Sequence, residues 1–139
     1  MLEEWQIAYA AGLFDGEGYV SLNKGYKGYI MNVGLEMSSI TVVNRLVRWF
    51  GGTIYFRVPR KEGWKGLWTL RLTREEAVEF LERALPYLLV KDLEAQLGLF
   101  FADTFRGYGA GFSIPTETVR IRDFIIEVSK ETKKETLLG

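Results

Sequence analysis

Residues 3–18, Glu3-Glu-Trp-Gln-Ile-Ala-Tyr-Ala-Ala-Gly-Leu-Phe-Asp-Gly-Glu-Gly18, decide the fold, because one element ends and another begins inside them. The stretch 3–16 predicts a helix: Glu3 and Glu4 suit the positive end of its dipole, and Gly16 and Gly18 mark its exit. Ala8, Gly12 and Gly16 recur every four positions, so they lie along one side of that helix. A glycine inside a helix costs on the order of 1 kcal/mol relative to alanine. A stripe that accepts this cost lets another backbone come close, either the chain's own sheet or a second helix.

Beyond Gly18 the period changes from helical to two. In Tyr19–Asn23, Val20 and Leu22 share one face, and Tyr19, Ser21 and Asn23 share the other. After a loop at Gly25–Gly28, residues Met31, Val33, Leu35 and Met37 alternate with Ile30, Asn32, Gly34 and Glu36. Such alternation predicts half-buried antiparallel strands. Ser38 or Ser39 then caps a second helix, 39–50, which Gly51 and Gly52 end. Two further strands are expected at 52–58 and 64–72, joined by the polar loop Pro59–Gly63. Thr73-Arg-Glu-Glu76 reads as a capping box opening a helix over 74–84, and Pro86 breaks it. A further helix is expected through 89–105, then a glycine-rich link at Arg106–Gly111, and a last helix from Ile114 into the 130–134 region. The order α-β-β-α-β-β-α-α-α, without internal repeat, predicts a single α+β domain over 1–139. Its four strands form one antiparallel sheet, covered by helices on one face only.

Composition narrows the chemistry. With 139 residues, 47% of them apolar and 26% charged, the chain can bury one core. It has no cysteine and no histidine. Disulfides, thiolate zinc sites, imidazole bases and Ser-His-Asp or Cys-His nucleophiles are therefore excluded. Carboxylates, lysines, arginines, hydroxyls and a bound metal remain. No run is long and apolar enough for a membrane span, and the start lacks the pattern of a secretory signal, so an intracellular location without membrane partners is expected. Sparse Asn and Gln beside abundant Glu, Lys and Arg hint at a hot-living source.

The net charge is zero, but it is unevenly distributed. Residues 19–72 carry Lys24, Lys27, Arg45, Arg48, Arg57, Arg60, Lys61, Lys65 and Arg71 against only Glu36 and Glu62. Phosphate binding depends on local charge, so this basic segment keeps a nucleic-acid partner in view. The face of the sheet left uncovered would present Tyr19, Ser21, Asn23, Ile30, Asn32, Glu36, Tyr55, Arg57, Thr69 and Arg71. Donors and acceptors of this kind can distinguish base pairs in a DNA major groove. A plain solvated face is the alternative.

The segment Ala10-Ala-Gly-Leu-Phe-Asp-Gly-Glu-Gly18 resembles the LAGLIDADG signature of homing endonucleases, and it ends a glycine-striped helix before an alternating strand. Pro86-Tyr-Leu-Leu-Val-Lys91 is similar to the family segment that presents an active-site lysine, and Glu117-Thr-Val-Arg120 to the C-terminal helix of single-motif members. The resemblance implies the αββαββα homing-endonuclease fold, with its sheet laid on double-stranded DNA. One motif per chain implies a homodimer packed through Ala8, Gly12, Asp15 and Gly16. It also implies site-specific cleavage of a long, near-palindromic duplex, with Mg2+ or Mn2+ as the working ion and Ca2+ as a non-cleaving substitute. Glu17 and the Gly16 carbonyl would hold the metal, since the end of a helix welcomes a cation and magnesium takes oxygen ligands. Lys91 would stabilise charge on the scissile phosphate. The polar residue that the family places at the start of the second helix corresponds here to Ser39, and Arg45 is the nearest match for its arginine. Asp15 is expected to hydrogen-bond near the helix end rather than bind metal.

A calcium loop starting at Asp15 fails, because its sixth and twelfth positions fall on Val20 and Tyr26 instead of glycine and glutamate. The competing readings are a non-cleaving member of the same fold, either an RNA-splicing maturase or a DNA-binding regulator, and a structural homodimer without a nucleic-acid role.

Overall fold

The computed structural model describes residues 1–26, 28–106 and 113–138. Lys27 and most of the expected glycine-rich link lie outside the described residues. The elements run α1 (Glu4–Glu17), β1 (Gly18–Gly25), β2 (Gly28–Met37), α2 (Ile40–Phe50), β3 (Thr53–Arg57), β4 (Leu67–Leu72), α3 (Arg74–Ala84), a 3-10 turn (Leu85–Tyr87), α4 (Asp92–Asp103) and α5 (Thr116–Leu138). The order is the expected one.

The strands form one antiparallel sheet in the order β1-β2-β4-β3. Its inner face carries Val20, Leu22, Val33, Leu35, Leu70 and Leu72, all buried under the helices. Phe14 of α1 and Phe80 of α3 pack edge-on, and Phe80 also meets Phe50 of α2, so one aromatic chain joins three helices. Among the described residues no helix is long and apolar enough to cross a membrane.

Local signals place the helix ends. The Ser39 hydroxyl accepts from the Val42 amide and starts α2, while Gly51 and Gly52, with φ of 85° and 102°, end it in a conformation that suits glycine. Glu76 completes the capping box of α3: Oε1 accepts from the Thr73 amide and Oε2 from the Gly52 amide. Both hydrogen bonds hold its carboxyl below its ordinary value. One side chain thus starts α3 and fixes the turn into β3.

Three expectations need correction. The strand expected at 64–72 begins only at Leu67, and Trp64 stands exposed in the loop before it. Phe56 and Val58, expected inside by alternation with the outward Tyr55 and Arg57, are exposed: β3 is an edge strand, and Val58 lies beyond its end at Arg57. Residues 89–91 are not helical. Leu88 is extended and α4 starts at Asp92, for a reason found in the site described next.

Gly34 marks the tightest approach in the sheet. A side-chain carbon there would run into the Leu70 carbonyl oxygen and the Tyr19 hydroxyl. Gly34→Ala is expected to lower stability by about 2 kcal/mol, since a backbone neighbour cannot swing aside. Thermal melting of the purified variant checks this, and an unchanged midpoint would deny the close approach.

Candidate nuclease site and nucleic-acid face

The two acids of the motif have different environments. Asp15 faces inward and accepts three backbone hydrogen bonds: Leu89 N–H to Oδ2 at 2.8 Å, and Val90 and Lys91 N–H to Oδ1 at 3.1 and 3.0 Å. In return, the Lys91 ammonium donates to the Asp15 carbonyl oxygen at 2.6 Å. A helix end leaves carbonyls unsatisfied, and a cation is favoured there. This reciprocal clasp explains why 89–91 cannot be helical: their amides point at a carboxylate in another element. Tyr87 adds a second tie, its hydroxyl donating to Glu4 at the start of α1.

Burial raises the Asp15 pKa, but the three amides and the Lys91 charge outweigh it, so the carboxyl lies below the ordinary 3.8. Asp15 is therefore engaged by groups of its own chain. Glu17, the last residue of α1, is exposed and makes no hydrogen bond or ion pair among the described residues. It stands two residues beyond the carbonyl that Lys91 grips.

Gly12 and Gly16 are exposed, and a side-chain carbon at either would meet nothing within 4 Å. The stripe is therefore not used for packing on the chain's own sheet. Trp5 and Tyr9 on the same helix are 57% and 46% exposed, and Ala8 is half-buried. Leu89, Val90 and Leu93 are also exposed. No local pattern marks these three, because their position depends on the Asp15 clasp.

The remaining site residues separate into groups. Ser39 serves as the cap of α2, and Arg45 is exposed on that helix. Among the described residues, neither has a hydrogen bond or ion pair with Glu17 or Lys91. On the sheet, pairing sets Tyr19 opposite Gly34, Gly34 opposite Arg71 and Arg71 opposite Thr53. It also sets Ser21 opposite Asn32, Asn23 opposite Ile30, and Glu36, Thr69 and Tyr55 in one row. Directly paired residues point the same way, so the expected outer face is a single surface. Lys24 pairs with Tyr29 on the opposite side and sits 5.2 Å over that ring. Arg60, Lys61 and Lys65 are exposed in the β3–β4 loop, with the Lys61 ammonium over exposed Trp64.

The clasp has a pH signature. A depressed folded pKa stabilises the protein fully above 3.8, and that contribution is lost as pH falls through the lower folded value. Asp15→Asn is expected to cost about 2–3 kcal/mol near neutral pH, because three amides lose a charged acceptor. The gap to wild type should narrow below about pH 4 in denaturant titrations, where the wild-type carboxyl takes up its proton. A gap independent of pH would show that the clasp does not depend on charge.

A family model described as LAGLIDADG-like domain matches residues 4–84, more than half of the chain. No curated protein matches it. Among solved structures, an archaeal intron-encoded homing endonuclease complexed with DNA, I-Vdi141I, is similar at TM-score 0.72 and 13% identity, covering 94% of this chain and 86% of that one. The homing endonuclease I-TnaI is similar at TM-score 0.63 and 20% identity, covering 97% and 98%. I-SmaMI, bound to an uncleaved DNA target in the presence of calcium ions, is similar at TM-score 0.65 and 16% identity, covering 94% of this chain and 46% of that one. With the motif helix, both hairpins and α3 inside one family match, on a fold shared with these enzymes, the chain belongs to the LAGLIDADG family.

Proposed function

We propose that two copies of this chain form a divalent-metal-dependent DNA endonuclease, cutting both strands of a long, near-palindromic site. The open end of α1 carries this reading: an exposed Glu17 carboxylate at the foot of an exposed glycine stripe. A single protomer offers too few acids. Among the described residues no group of three or more potential acidic ligands exists, and Asp15 is occupied by amides. Two α1 helices packed through Ala8, Gly12 and Gly16 would pool two Glu17 carboxylates. I-SmaMI supports the arithmetic, since this chain spans just under half of it and two copies match its length.

The donor set fits a hard cation: a carboxylate oxygen and backbone carbonyls at the negative end of a helix. Glu17 and the Gly16 carbonyl would hold Mg2+ or Mn2+, which supplies charge neutralisation at the phosphate and an activated water. Lys91, anchored on the Asp15 carbonyl, has N–H donors left for the negative charge that grows on a phosphate under attack. The outer sheet face supplies base contacts, and the basic loop at its end supplies phosphate contacts. A twofold dimer presents this surface twice, hence a near-palindromic site.

With magnesium and a randomised duplex library, wild type is expected to cut. Glu17→Gln should bind as well but cut at least about a hundred-fold more slowly. Binding should also weaken steeply with added salt. Binding without metal-dependent nicking by wild type would favour a regulator or maturase of the same fold. Gly12→Leu has open space around it and should fold at least as well as wild type. It is expected to sediment as a monomer and to lose cleavage; a cleaving, dimeric Gly12→Leu protein would refute packing through α1.

A further inference from the structure

A carboxylate is unexpected on the face proposed to meet DNA, because phosphates repel it. Glu36 nevertheless lies there, in the same row as Thr69 and Tyr55. Its partner is Arg57, on the far side of β4. A single guanidinium nitrogen, Nη1, donates to both carboxylate oxygens, at 3.2 and 2.9 Å. The two side chains reach across an intervening strand to meet, and both are partly open to solvent. Exposed ion pairs add little to stability. The pair does, however, fix the long and otherwise mobile Arg57 side chain in one orientation. Because Nη1 alone is engaged, the Nε and Nη2 donors stay side by side and outside the Glu36 pair. Two parallel N–H donors are what the O6 and N7 acceptors of guanine accept in the major groove.

We infer that Arg57 reads a guanine in each half-site and that Glu36 is the positioning residue that aims it. This rests on the DNA-binding reading proposed above. Register also gives the position. Gly18 pairs with Leu35, so Glu36 lies at the end of the sheet where Glu17 leaves α1. Asn23 and Ile30 lie at the opposite end of the hairpin. The guanine read by Arg57 is therefore nearer the cut than the base pairs beside Asn23 and Ile30. Arg71 provides an internal control. It stacks on the Tyr55 ring, its guanidinium carbon 5.7 Å from the centroid, and does not depend on Glu36.

The test is a binding selection from a randomised duplex library, with the recovered DNA sequenced, for wild type, Arg57→Ala, Glu36→Gln and Glu36→Asp. Wild type is expected to enrich guanine at one inner position of each half-site by about ten-fold or more. Arg57→Ala should abolish that preference. Glu36→Gln should flatten it, leave other positions and the melting temperature unchanged, and bind total DNA at least as tightly. Glu36→Asp should restore part of it. Glu36→Gln with the guanine preference intact overturns the inference. So does loss of a cytosine preference that Arg57→Ala leaves untouched, since Glu36 would then read the base itself. Lost cleavage with unchanged base preference also overturns it, because Glu36 would then belong with Glu17. If wild type recovers no DNA at all, the proposed function fails first, and the inference with it.

Discussion

The structure depends on one carboxylate. Asp15 gathers three amides from a segment 74 to 76 residues further along the chain, and the lysine of that segment returns a bond to the Asp15 carbonyl. Hydrogen bonds to a charged acceptor contribute about 1.5–3 kcal/mol each, so this contact can override the helical tendency of residues 89–91. It also determines where the candidate chemistry sits. Glu17 follows Asp15 by two residues and Lys91 is itself a member of the clasp. An acid and a cation that the sequence holds far apart are thus fixed to the same helix end. Of the two acids, Asp15 is occupied by the amides of its own chain, and Glu17 is exposed without a partner among the described residues.

Much of the architecture was legible in the sequence because each element carried its own signal. Period two in 19–23 and 29–37 gave the first hairpin, and Ser39, Gly51 and the Thr73–Glu76 box marked helix ends that the structure shows at those places. The outer face was legible too, since alternation assigns every side chain once a single one is placed. What escaped was set by contacts between distant segments. Helical spacing continues through 89–91, and only the Asp15 carboxylate removes those residues from α4. Counting positive charges did not say which face each occupies, and Lys24 turns out to share the Tyr29 side of the first hairpin. Phe56 and Val58 look like core residues by type, but strand order leaves β3 at an edge, and strand order is not written in local pattern.

The outer face shows how a protein of zero net charge can present a surface suited to a polyanion. Cations concentrate in 19–72, which spans the four strands and α2, and acids in 73–94, so the two parts of the chain differ in sign. The few acids within the basic region have partners or lie in loops. The arginines on the face are held by different means, one by a carboxylate and one by an aromatic ring. Preorganisation of this kind lowers the entropy lost on binding.

The last turns of α5 have an effect beyond the core. The Lys133 ammonium donates to the Val20 carbonyl at 2.6 Å, on β1, the long outer strand of the sheet. An uncovered strand of that length would invite another chain to add on through its backbone. Lys133 takes up one of the acceptors such an addition would need, while the opposite margin, β3, is only five residues long. Growth by strand addition, the route toward fibrils, is thereby discouraged at both margins of the sheet.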